Sequence, residues 1–279
     1  MERLNIDHEI RTVHEILLNM LKWFHDFCID NNLNYYVIGG TMLGAIRHKG
    51  FIPWDDDIDV GMPRRDYDEF IRLTSKEKNG RYIVEIADRD KKDFHYTYAK
   101  IYDTQTTLIE KARYEIKRGV YIDLFPLDGI GNSEVEARKN YKIILRKRNI
   151  LLTMVCAINS KRSIYKNAAI IVGRLIPRFI FKPYNIIQSI DNLCRKHDFY
   201  NCSIVGNLVG NWGYREVMKR EFFGRPTEYK FENITVLGVE NPDEYLKCLY
   251  GDYMKLPPEE KRVSNHDYIY RNLNESYLG

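Results

Sequence analysis

The sequence lacks any apolar stretch able to cross a bilayer. Its longest unbroken apolar run is Ala168–Gly173, whereas a spanning helix needs roughly 20 residues. Residues 1–15 are charged and hold no apolar core, so no secretory leader is expected. The five cysteines, Cys28, Cys156, Cys194, Cys202 and Cys248, are odd in number and form no C-x-x-C pair. That argues against a disulfide framework and against a structural zinc site. With 17 Gly and 9 Pro in 279 residues and no internal repeat, collagen, low-complexity disorder and coiled coil are excluded. These absences predict a soluble cytoplasmic protein, long enough to bury a substantial core.

The net charge of +4 says little, but its distribution is uneven. Residues 134–182 carry twelve Lys or Arg against two Glu, so the rest of the chain is net negative. In INSKRSIYKNAAIIVGRLIPRFIFKPY, apolar and cationic residues interleave. A helix of that composition suits an anionic membrane surface. It equally suits a solvated basic face over an ordinary core helix. No nucleic-acid-binding motif accompanies the charge, and nucleic acid is not an expected partner.

Apolar residues Ile10, Val13, Leu17, Leu21, Phe24 and Cys28 share one helical face and predict a helix over 7–30, capped by Asp7. A short buried strand follows at 35–38. The turn Gly39-Gly40-Thr41 opens a helix at 42–48, a strand is expected at 57–61, and Pro63 starts another helix. Segments 81–87, 95–102, 106–110 and 120–125 read as strands, being rich in β-branched and aromatic residues. From Ser133 to about Tyr200 the pattern is helical, with a late strand at 229–237 and a helix at 241–250. The expectation is an α+β fold with a soft boundary near 130: a core over 1–130 and a mainly helical, basic region over 131–279.

Four carboxylates fall within five positions: Asp55, Asp56, Asp57 and Asp59. Alternation along a strand aims Asp57 and Asp59 at one face and Ile58 and Val60 at the other. Paired carboxylates repel unless a cation neutralises them, and oxygen ligands favour Mg²⁺ or Mn²⁺, which also bind substrate phosphates. Asp55 is in phase with the pair, whereas Asp56 is out of phase and reads as a loop or supporting residue. Upstream, Gly39-Gly40-Thr41 joins a strand to a helix, where backbone N–H groups can cradle a phosphate. Asp123 lies on an apolar strand, where an unpaired charge is expensive. It is expected as a third acid, metal ligand or general base, with a salt bridge to a core Arg as the plainer reading. Asp128 is expected in a structural turn.

The stretch GGTMLGAIRHKGFIPWDDDIDVGM, with VYIDLFPLD and the C-terminal YGDYMKLPPEEKRVSNH, resembles the LicD family. The likeness covers most of the chain, and ribitol-phosphate transferases related to fukutin share it more distantly. It implies a nucleotidyltransferase-like mixed sheet with flanking helices and a metal at one edge, with Asp57 and Asp59 as the metal pair and Asp123 as the third acid. It also implies an enzyme that moves phosphocholine or another phospho-alcohol from a CDP-linked donor. The acceptor would be a hydroxyl of a cell-surface glycan precursor, such as teichoic acid or lipopolysaccharide. A lipid-linked acceptor would place the protein peripherally at the inner face of the membrane. The insert RHKGFIPW lengthens the usual gap between the glycines and the first acid. Within it, Arg47 suits bidentate phosphate contact, Lys49 charge neutralisation, His48 proton transfer and Trp54 base stacking. Lys100 is a candidate for a donor phosphate. The C-terminal segment is expected to fold back over the site, with Arg262 and His266 closing on the donor. Two other readings use the same residues: transfer of an NMP group from an NTP, and a non-catalytic glycan- or membrane-binding module.

Overall fold

A computed structural model describes residues 2–76, 80–91, 93–111, 113, 115–158, 163–175, 182–264, 266 and 268–279. Helix α1 (Glu2–Asp30) buries Leu17, Met20, Leu21, Phe24 and Cys28 along one stripe, as three- and four-residue spacing requires. It begins at Glu2, so Asp7 lies inside the helix and does not cap it. The chain then runs through β1 (Tyr36–Val37), α2 (Gly39–Arg47), β2 (Asp59–Pro63), α3 (Arg64–Thr74), β3 (Tyr82–Glu85) and β4 (Ala99–Asp103). Next come β5 (Thr107–Lys111), β6 (Glu115–Arg118), the long buried β7 (Tyr121–Gly131), α4 (Glu134–Val155), α5 (Ile164–Leu175) and α6 (Pro183–Cys194). The remaining elements are β8 (Ile204–Gly206), β9 (Val217–Lys219), α7 (Arg220–Phe223), β10 (Thr227–Phe231), β11 (Ile234–Gly238), α8 (Pro242–Tyr250) and β12 (Tyr268–Asn272).

The main sheet has the order β10-β11-β1-β2-β7-β4-β3, with β8 on the far end of β7 and β9 on β8. Pairs β1–β11 and β2–β7 are parallel, while β1–β2, β7–β4 and β4–β3 are antiparallel, so the sheet is mixed and the fold is α+β. A smaller antiparallel sheet joins β12, β5 and β6. Strands on both sides of residue 130 build the main sheet: β8 to β11 lie beyond it, and β11 pairs with β1.

Several strands depart from the sequence expectation. The segment 229–237 is a hairpin, because Glu232 and Asn233 form a two-residue turn with Glu232 at φ +52°. Asp128 lies within β7 and not in a turn. Helix α4 starts where Ser133 accepts the Glu136 N–H, while the Glu136 side chain accepts the Asn132 N–H. Among the described residues, no helix is long and apolar enough to cross a membrane.

Candidate active site

Strand register brings together residues that are distant in the chain. Parallel pairing sets Asp59 of β2 beside Asp123 of β7, and antiparallel pairing sets Lys100 of β4 on the other side of Asp123. An acid, an acid and a base thus form a row across three adjacent strands. Lys100 is only 2% exposed. Its ammonium is 2.8 Å from Asp123 Oδ1 and lies 3.3 Å and 4.3 Å from the ring centres of Tyr121 and Tyr96. One carboxylate and two ring faces replace its water. The Tyr98 hydroxyl donates to Asp123 Oδ2 at 3.3 Å. The Asp123 salt bridge is therefore made with a lysine, not with a core Arg.

Asp57 reaches the site by a different route from the one expected. Strand β2 begins at Asp59, and residues 55–58 are irregular, so alternation does not aim Asp57. Backbone contacts shape this segment instead: the Ile58 carbonyl accepts the Asp123 N–H at 2.9 Å, and the Asp55 carbonyl lies 2.7 Å from His14 Nε2. Asp55, Asp57, Asp59 and Asp123 all line one cavity of about 810 Å³. Asp56 turns away from it. Its Oδ1 accepts from Ser264 at 2.7 Å and lies 2.8 Å from His266 Nδ1, and its Oδ2 is 3.5 Å from Arg271. The C-terminal segment therefore does lie over the carboxylates, with His266 Nε2 3.7 Å from Asp57 Oδ2.

The first turn of α2 closes down on the same carboxylates. Gly39 sits at φ +55°. A Cβ on Gly39 would stand 2.9 Å from Asp59 Oδ2, and one on Gly40 would stand 2.8 Å from Asp55 Oδ2. Only glycine permits this approach at both positions. The Thr41 hydroxyl accepts the Asp59 N–H at 2.8 Å, and the Gly39 N–H donates to the Tyr245 hydroxyl at 3.0 Å, which ties the helix to β2 and α8.

Among the described residues, the lysines and arginines on the cavity wall are Arg47, Lys100, Lys255 and Lys261, and Trp54 and His266 also line it. Arg47 is held by a 2.7 Å bond to the Tyr253 carbonyl. His48, Lys49 and Arg262 stand outside the wall. His48 meets Trp54 edge-on at 6.3 Å, and Arg262 lies over the same ring at 5.8 Å. Lys49, at φ +60°, uses its carbonyl to accept the Glu232 N–H at 2.7 Å.

Burial and crowding dominate the electrostatics. Burial, then the neighbouring Asp57, pushes Asp55 up to about 8. Burial raises Asp57, and burial with Asp57 and Asp123 nearby raises Asp59 well above the carboxylate range. Burial works against a charge on His266, but its hydrogen bond to Asp56 and the nearby Asp57 outweigh that and push it up to about 9. A charged His266 thus balances Asp56 first and Asp57 only at longer range. Crowded buried carboxylates of this kind fit a hard divalent cation that shares substrate phosphates and water. Asp57 and Asp59, both on the cavity wall, could hold it. Among the described residues, no three His, Cys, Asp or Glu side chains already surround one point, and Asp123 is engaged by Lys100.

Several wall residues escaped the sequence reading. Glu216 lies in a 3-10 turn without periodicity, and burial pushes it up to about 7. Tyr98 and Tyr96 sit ahead of β4 and are visible only as aromatics. Lys255 and Lys261 fall inside the C-terminal motif, where two cations close to a proline pair were the available signal.

The fold and site together define an α+β protein whose mixed sheet carries a glycine-opened helix set over paired aspartates. Residues 32–148, which hold α2, β2, β4 and most of α4, match the family described as LicD/FKTN/FKRP, nucleotidyltransferase domain. The chain is 31% identical over 276 residues to the lipopolysaccharide cholinephosphotransferase LicD of Haemophilus influenzae, covering 96% of this chain and 98% of that protein. This protein belongs to the LicD/FKTN/FKRP family. Shorter likenesses join it to uncharacterized proteins of Rickettsia typhi (37% over 68 residues, 24% of this chain and 22% of that one) and Rickettsia prowazekii (44% over 50 residues, 18% and 19%).

Proposed function

We propose that the protein transfers a phospho-alcohol, phosphocholine or a phospho-polyol, from a CDP-linked donor to a hydroxyl of a cell-surface glycan precursor, with Mg²⁺ or Mn²⁺. The observation that carries the reading is the descent of Gly39 and Gly40 onto the carboxylates of Asp59 and Asp55. It sets a helix N-terminus and two acids at one point of a cavity large enough for a nucleotide diphosphate. The full-length likeness to a lipopolysaccharide cholinephosphotransferase supports the choice of phosphoryl group and acceptor.

The residues divide the work. The N–H end of α2, with Arg47, Lys255 and Lys261 on the wall, receives the diphosphate. Asp57 and Asp59 hold the divalent cation, which when bound offsets charge on the phosphates and on the departing CMP. Asp123, held by Lys100 and Tyr98, takes the proton of the attacking hydroxyl. The sugar oxygen forms the new P–O bond as the P–O bond to CMP breaks, and CMP leaves with the electron pair.

The acceptor is read as lipid-linked, which calls for a membrane-facing surface. Ile164, Tyr165, Ile171 and Val172 of α5 point to solvent, while Ile170 is buried and Gly173 packs on Thr153 of α4. The exposed Lys142, Arg146 and Ile150 of α4 add charge and apolar surface. This is the amphipathic composition that lies on anionic lipid.

Donor competition tests the central reading. With Mg²⁺ present, CDP-choline or another CDP-alcohol should raise the Tm and release CMP. Protection by CTP or ATP alone would transfer the assignment to NMP transfer. Pelleting with phosphatidylglycerol vesicles at low salt should fall in Val172→Asp, and equal pelleting with neutral vesicles would remove the membrane contact.

A further inference from the structure

One cavity remains without a role. It measures about 300 Å³ and opens between the end of α4 and the segment leading into β4. Tyr96, Tyr98, Phe125 and Asn211 belong to its walls and to those of the larger cavity. The Tyr98 and Phe125 rings are 4.2 Å apart and those of Tyr96 and Tyr98 5.5 Å, so the partition between the two spaces is aromatic. Buried Leu151, Val155 and Val209 form an apolar floor. At the rim, Arg148 donates to the Gly210 carbonyl and to Asn211 Oδ1, each at 2.7 Å. Those bonds tie the 207–212 loop to α4 and engage the Asn211 carbonyl oxygen, so that the amide N–H groups are not needed for that contact.

We propose that this second cavity seats the sugar ring that carries the accepting hydroxyl. The proposal rests on the transfer reading above and assigns its acceptor a place. Ring faces over an apolar floor, with amide and guanidinium donors at the rim, match a pyranose that offers C–H faces and peripheral hydroxyls. Among the described residues, no carboxylate lines the cavity, and its charged group is Arg148. The Arg148 guanidinium repels a cationic head group such as choline, whereas a neutral sugar ring meets no such repulsion there. The shared wall supplies direction. Tyr98 bounds the second cavity and donates to Asp123, so a hydroxyl presented past Tyr98 arrives beside the carboxylate that takes its proton. The opening lies at the C-terminal end of α4, next to α5, where a lipid-linked saccharide would approach.

Saturation-transfer NMR with free galactose, glucose and N-acetylgalactosamine tests the assignment on the full chain. At least one hexose should receive saturation from the wild type. The signal should weaken at least fivefold in Leu152→Trp, which fills the cavity from its 39%-exposed rim position, and in Asn211→Ala, and it should persist in Asp59→Asn. A wild type that binds none of these sugars overturns the proposal, as does undiminished binding in both cavity variants at unchanged Tm. The Tm rise given by CDP-choline with Mg²⁺ should be the same in Leu152→Trp and wild type. Absence of any Tm rise on adding CDP-choline and Mg²⁺ to the wild type would sink the donor reading instead, a result separable from loss of sugar binding.

Discussion

Strands β2 and β7 carry acidic clusters at both ends, and the two are neutralised in opposite ways. Toward the far end of β7, Asp128 receives two bonds from Arg64, at 2.8 and 2.6 Å, and Arg64 reaches Asp191 at 3.0 Å. Arg64 follows directly after β2, so the chain supplies its own bidentate counter-charge. At the start of the strands, Asp55, Asp57 and Asp59 crowd one cavity. His266 stands 3.7 Å from Asp57, and Lys100 is committed to Asp123. The first cluster is closed by protein side chains. The second keeps buried carboxylates without a bidentate protein partner, a charge that the proposed divalent cation would offset.

Substitutions should separate the clusters. The largest effect is expected from Asp57→Asn and Asp59→Asn. Each should lower CMP release by about 10²–10³-fold with no fall in Tm, because removing one of several buried like charges relieves repulsion. Near-normal turnover in both would end the division drawn here. Asp128→Asn should do the reverse. Breaking a buried pair costs about 3–5 kcal/mol, read as a lower denaturation midpoint, while turnover per folded molecule stays near wild type. Gly39→Ala comes next: its Cβ meets Asp59, and an alanine at positive φ costs about 1–2 kcal/mol. Transfer should fall by about tenfold or more, with a modest drop in Tm. Loss of stability alone, with transfer intact, would remove the helix end from the site.

The smallest effect concerns Glu216, which lies on the cavity wall without a full counter-charge. Burial raises its folded pKa from 4.5 to about 7, so ionisation opposes folding. The penalty is absent below the unfolded value, grows between the two, and is complete above the folded value. Glu216→Gln should therefore match the wild type in Tm at about pH 4 and exceed it at about pH 8. A constant difference across that range would mean that Glu216 has a permanent counter-charge.

The sequence was informative wherever a short-range rule applied. The stripe Leu17, Leu21, Phe24 and Cys28 marks α1, since helical periodicity needs nothing beyond the segment. The glycine pair and D-x-D pattern likewise point to a phosphate and an ion, because like charges so close demand compensation. Local rules failed where long-range pairing decided the outcome. Alternation aims Asp57 along a strand, but it sits ahead of β2, between Ile58, whose carbonyl accepts from β7, and Asp55, whose carbonyl meets the His14 side chain of α1. The short strands β8 and β9 carry too few residues for a period to register, and they exist because β7 offers them a partner.

The chain by itself determined its α+β character and, through its long motifs, its family, since these follow from residue pattern. Tertiary structure alone decided that Lys100 would meet Asp123, that Ser264, His266 and Arg271 would hold Asp56, and that Glu216 would join the wall. Register between strands and the return of a distant terminus set those contacts. Both are properties of how the whole core packs, and no window of neighbouring residues encodes them.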